Sequence, residues 1–65
     1  MPLLLIVERY LRRSRLHPTR FGREAMGDPR FVFDLRNGRR PSPRTVARAL
    51  AWIEKQEGER AWRGR

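Results

Sequence analysis

Three breaks constrain this chain more than any other feature: His17-Pro18, Gly27-Asp28-Pro29 and Asn37-Gly38. Proline suits the first turn of a helix, where its missing N–H has no partner to lose, and an aspartate just before it is a good N-cap. Glycine takes the left-handed conformation that closes a helix. Together they predict two short helices, residues 18–26 and 29–37, joined by a tight turn at Gly27. In the first, Phe21 and Ala25 lie four apart and face inward, and Gly22 beside them lets another helix approach closely. In the second, Phe31 or Val32 faces inward together with Leu35.

Longer helices flank this pair. Over residues 3–13, Leu4, Val7 and Leu11 recur at helical spacing, and Leu3, Ile6 and Tyr10 form a second apolar stripe beside them. That second stripe is either more core or a face offered to a partner chain. Residues 38–43 hold two prolines and a glycine without periodicity and read as a loop. Ser42 is a good cap for a fourth helix, in which Val46, Leu50 and Ile53 point inward and Ala47, Ala49 and Ala51 favour the helical state. This helix is expected to reach Gln56 or Glu57 and to end at Gly58. The reading is all-α: a compact bundle of four to five helices over residues 1–58, followed by a flexible basic tail, residues 59–65.

A chain of 65 residues buries only about 60% of its unfolded surface, so the core must be small. Yet 38% of the residues are hydrophobic and they cluster, unlike those of a disordered tail. Sixteen basic residues against seven acidic ones give a net charge of +9, which attracts polyanions and makes nucleic acid the first partner to consider. Fifteen of the sixteen are arginine, which a GC-rich genome could also favour. With no cysteine and only His17, no metal or disulfide is expected. Nucleophile–base pairs, paired carboxylates and phosphate-cradling glycine loops are all missing, so no enzyme activity, cofactor or small-molecule ligand is expected. The apolar run from Leu3 to Val7 is far short of the ~20 residues of a membrane span, so the chain is expected in the cytoplasm, near the nucleoid.

The stretch Thr19-Arg20-Phe21-Gly22, then Val32, then Leu35-Arg36-Asn37-Gly38-Arg39-Arg40-Pro41-Ser42, resembles lambda-repressor-like helix-turn-helix domains of the Xre and Cro type. Members of that family read Thr-x-Leu-Ala, then Ile, then Ile-x-x-Gly-x-x-x-Pro-Ser at nearly this spacing, and the resemblance spans residues 17–53. Two positions depart from it. The family's turn glycine falls where Met26 stands, one residue before Gly27, and Gly22 replaces the usual alanine. The resemblance implies a bacterial or phage transcriptional regulator, such as a repressor, that binds double-stranded DNA with helix 29–37 in the major groove. Dimerisation through C-terminal helices is common in the family and is implied here too.

On that reading Arg30 is the leading base reader, its planar fork donating twice to guanine, with a phosphate clamp as its alternative. Phe33 either meets a thymine methyl or packs against helix one or a dimer mate. Asp34 accepts from cytosine or pairs with a nearby arginine, and Asn37 reads adenine or closes the helix. Thr19 and Arg20 open helix two, where N–H groups suit a phosphate, and Arg36, Arg39, Arg40 and Arg44 would neutralise backbone without reading sequence. Trp52 projects off the core stripe as a dimer face, or packs into the core; Trp62 cannot be placed. The rival class is a small interaction protein, an antitoxin or phage-encoded inhibitor, whose basic surface meets an acidic protein partner. Salt separates the two, since each phosphate contact contributes about −0.9 to the log–log slope of DNA affinity. RNA is disfavoured because no aromatic-rich sheet is present to stack bases.

Overall fold

The computed structural model describes the backbone of residues 2–63 and the side chains of residues 2–58. Among the described residues there are four helical segments and no strand: α1 over Leu3–Ser14, α2 over residues 18–26, α3 over Phe31–Arg36 and α4 over Pro43–Arg63. Every expected helix is present, and the differences are local.

Helix α1 begins with the N–H groups of Leu5 and Ile6 bonded to the Pro2 carbonyl and ends at Arg15, which sits in the left-handed region at φ 59°. Leu3, Val7, Tyr10 and Leu11 are buried, while Leu4 and Ile6 are half-buried against the same core. Both stripes therefore belong to the interior, since α3 and α4 cover adjoining sides of one helix. Leu5, on the side of the helix away from both, is left 48% exposed.

Helix α2 is α-helical over Pro18–Phe21 and continues as a π turn over Gly22–Met26. That wider turn takes up one residue, and Gly27 closes the helix at φ 67°. The Asp28 N–H reaches back to the Gly22 carbonyl at 3.0 Å. Gly22 has no freedom to be anything larger: a Cβ there would lie 2.2 Å from the Asp28 carbonyl oxygen. The nearest neighbour is thus the connecting backbone, followed by the Phe31 Cβ at the start of α3, 3.3 Å away.

Helix α3 starts two residues later than expected. The Asp28 side chain caps as predicted, its Oδ1 accepting the Arg30 N–H at 2.9 Å, but its carbonyl accepts the Phe31 N–H, so Pro29 and Arg30 form a turn before the helix proper. Both candidate core residues, Phe31 and Val32, are buried with Leu35. At the far end the Gly38 N–H donates to Leu35 and the Arg39 N–H to Asp34, the paired bonds of a Schellman closure with Gly38 at φ 94°.

Ser42 caps α4, its Oγ accepting the Thr45 N–H at 3.2 Å. The helix runs past Gly58 to Arg63 instead of stopping at residue 56 or 57, because glycine weakens a helix without ending it unless it turns left-handed, and Gly58 does not. Residues 64 and 65 of the expected tail lie outside the described residues. Among the described side chains of α4, Ala49 and Ile53 are the buried positions, with Val46 and Leu50 half-buried, so the stripe is rotated toward a small residue where helices come close.

Phe21 is the hub. It is fully buried beside Val7 and Val32, stacks on Phe31 at 6.4 Å, and meets Tyr10 at 5.9 Å and the edge of Trp52 at 5.3 Å. Trp52 also meets Tyr10 edge-on at 5.8 Å. Its indole is thus part of the core's own aromatic cluster, and the expectation of a dimer face at Trp52 gives way to core packing. The reason is geometric: α4 crosses above α2, so a residue one step off the Val46–Leu50–Ile53 line lands on Phe21.

Candidate nucleic-acid interface

With Phe31, Val32 and Leu35 turned inward, helical spacing places Arg30, Phe33 and Asn37 together on the opposite side of α3. All three are exposed, Phe33 to 40%. Capping by Asp28 uses only the backbone of Arg30, and among the described residues its guanidinium has no ion-pair partner. Asn37 closes the helix through its N–H, bonded to the carbonyls of Phe33 and Asp34, while its side chain stays at the surface. Asp34, the fourth expected base reader, accepts from Arg39 Nη1 at 3.0 Å and is drawn to the edge of this face.

The expected phosphate-binding arginines divide into two sets. Arg36 makes a bidentate pair with Glu8, 2.8 Å from each nitrogen, and lies 5.6 Å from the centre of the Phe33 ring. It fastens α3 to α1 and is not a free cation. Arg39 is held by Asp34, and Arg20 by Glu24 one turn along its own helix at 2.5 Å. Arg40 and Arg44 are exposed and, among the described residues, unpaired. Arg48, one turn beyond Arg44 on α4, is equally exposed and unpaired, and its spacing from Arg44 was the signal available in the sequence. Thr19 is half-buried, and its N–H donates to His17 Nδ1 at 3.1 Å. His17 therefore caps α2 and occupies one of the groups expected to meet a phosphate. A further pair, Arg13 with Glu57, ties the end of α1 to α4.

The hydrogen bonds from Arg36 hold the Glu8 carboxyl below the ordinary glutamate range, against the opposing effect of partial burial, and Glu8 in turn raises Arg36. Because the folded value of Glu8 lies below the unfolded one, the pair contributes fully above the unfolded pKa, and its contribution is lost as pH falls through the folded pKa. Both side chains are about a third exposed or more, so it is worth at most about 1 kcal/mol. Thermal melts of the wild type and Glu8→Gln should converge as pH drops through the carboxylate range and separate near neutrality. A constant gap at all pH values would show that the Glu8 charge contributes nothing to the fold.

Between the Phe31 and Leu35 side of α3, the loop 38–42 and the first turns of α4 runs a groove of about 450 Å³. Phe31, Leu35 and Met26 line its inner wall, and Arg39, Arg40, Arg44 and Arg48 stand along it. Among the described residues no group of three metal-ligating side chains comes together, and no helix is long and apolar enough to cross a membrane. No family model matches the chain, and neither a curated protein nor a solved structure is significantly similar to it.

Proposed function

We propose that this protein binds double-stranded DNA sequence-specifically, as a transcriptional regulator built on a helix-turn-helix, with the outward face of α3 in the major groove. The observation that carries the reading is that Arg30, Phe33 and Asn37 share the exposed side of a short helix, in a chain whose Arg40, Arg44 and Arg48 are exposed and, among the described residues, unpaired. A guanidinium, an aromatic edge and a carboxamide are groups suited to guanine, a thymine methyl and adenine respectively. Exposed arginines without a carboxylate partner suit phosphates, which position the protein without specifying sequence. Arg36 has a different role in this reading: with Glu8 it fixes the angle of α3 against α1, and so the direction in which the base-reading face points.

Selection from a random duplex library tests the proposal, and a palindromic motif would reveal that two copies bind. Arg30→Ala should lower affinity for the selected site by about 1–3 kcal/mol, roughly 5- to 150-fold, while leaving affinity for random duplex nearly unchanged. Arg40→Ala with Arg44→Ala should instead weaken all sequences alike and flatten the log–log salt slope by about 1.8, two phosphate contacts at ~0.9 each. Undiminished discrimination by Arg30→Ala, measured by gel shift, would remove Arg30 from base reading.

A further inference from the structure

We infer that α1 forms a second phosphate-binding edge of the DNA surface, in which Arg12 and Arg15 hold the strand opposite the one met by the loop 38–42. The inference rests on the proposed entry of α3 into the major groove and names a further part of the protein that grips the duplex there.

The outward face of α3 is bracketed by two charged residues, Asp34 and Arg36, which stand two positions and so about 200° apart around the axis. Asp34 holds Arg39 of the loop on one flank, and Arg36 holds Glu8 of α1 on the other. A helix lying in a major groove ~12 Å wide has the phosphates of one strand on each side of it, so elements fastened to both flanks face backbone. The loop carries arginines, and so does α1. Glu8, Arg12 and Arg15 follow one another at four and three, which puts them on one ridge, the ridge that reaches α3. The Glu8 carboxyl feels the Arg12 charge alongside that of Arg36. Both its oxygens are taken by Arg36, and Arg12 and Arg15 are exposed and, among the described residues, without a carboxylate partner.

The backbone at Arg15 is an independent observation. Arg15 closes α1 at φ 59° and is the only non-glycine residue at positive φ among the described residues, whereas the closures at Gly27 and Gly38 use glycine. Glycine is the low-energy residue at such a position, and an L side chain there is strained. Among the described residues the Arg15 guanidinium has no hydrogen-bond or ion-pair partner, so no contact within the fold offsets that strain. Attraction of a cation to the end of the helix does not require Arg15 either, since Arg12 and Arg13 already stand in the last turn. A guanidinium kept at this position, strained and unpaired, at the edge of a face that enters DNA, is placed for a phosphate.

The test is fluorescence anisotropy of the full chain at several salt concentrations, with one labelled duplex of the selected sequence and one of unrelated sequence. Arg15→Gly should keep or raise the melting temperature, since it removes the strain, and yet weaken binding to both duplexes and flatten the log–log salt slope by about 0.9. Adding Arg12→Ala should bring the change to about 1.8, while the preference for the selected sequence stays that of the wild type, because neither residue reads bases. Lys55→Ala removes the same charge from an exposed position two residues before Glu57, on the side of α4 turned away from the contact with Arg13 of α1, and should leave the slope nearly unchanged. An unchanged slope in the double variant, or a loss no larger than that of Lys55→Ala, overturns the inference and leaves the reading of α3 intact. A wild type that binds neither duplex overturns both. Should Arg15→Gly fail to fold, Arg12→Ala alone still decides, at a slope change of about 0.9.

Discussion

Phe21→Ala is expected to leave the protein largely unfolded at physiological temperature. Phe21 has no exposed surface and touches three other rings, so its truncation removes both the buried area and the partners' packing, about 3–5 kcal/mol in comparable cores. A domain of this length has a total stability of only about 3–10 kcal/mol. The melting temperature should fall by roughly 15–30 °C, followed by circular dichroism at 222 nm. A drop under about 5 °C would mean that the aromatic cluster is not the centre of the fold.

Gly22→Ala is expected to destabilise, against the direction that helix propensity dictates. Alanine is favoured over glycine in a helix by about 1 kcal/mol, so propensity alone predicts a gain. The added methyl, however, would lie 2.2 Å from the Asp28 carbonyl oxygen and 3.3 Å from the Phe31 Cβ. The obstacle is backbone, which cannot rotate aside as a side chain tip can, so residues 27–30 must move by about 1 Å or the π turn must rewind. A net loss of about 2–3 kcal/mol follows, the range for overpacking a tight site. Gly58→Ala makes the control, because nothing lies within 4 Å of a Cβ there, and it should stabilise by up to about 1 kcal/mol. Thermal melts that moved the same way in both variants would show that propensity governs and that the close approach at Gly22 is relieved at no cost. On the proposed function, a surviving fraction of folded Gly22→Ala would also lose operator discrimination, since the displaced turn carries Arg30.

The elements of this fold were legible because each is encoded within a few residues. Phe21 and Ala25 share a face at four-residue spacing, Asp28 caps through its own neighbours, Ser42 caps α4, and Gly38 closes α3 through bonds that span five positions. The misjudged details have two sources, one local and one distant. The start of α3 moved to Phe31 because Asp28-Pro29-Arg30 closes a turn first, and α4 continued through Gly58 because nothing drew that glycine left-handed. Trp52 looked peripheral on its own helix and became core only once α4 lay across Phe21 and Tyr10. Ala49 was read for its propensity and not for its burial, since a small side chain gives no hydrophobic signal yet is what lets helices approach.

The candidate site divides in the same way. That Arg30, Phe33 and Asn37 share a face follows from helical period once Phe31, Val32 and Leu35 are inward. Which arginines are free does not follow, because Glu8 and Arg36 are 28 residues apart and no local pattern announces their bidentate pair. His17 capping α2 was overlooked because a single histidine was weighed only as a metal ligand.

By itself, then, the order of residues determined the number of helices, the caps at Asp28 and Ser42 and most of the inward positions, since those depend on backbone torsion preferences and spacing over one or two turns. The tertiary structure alone decided which charges cancel, which aromatic rings meet and that the chain must widen into a π turn at Gly22, because each depends on where a distant segment comes to rest.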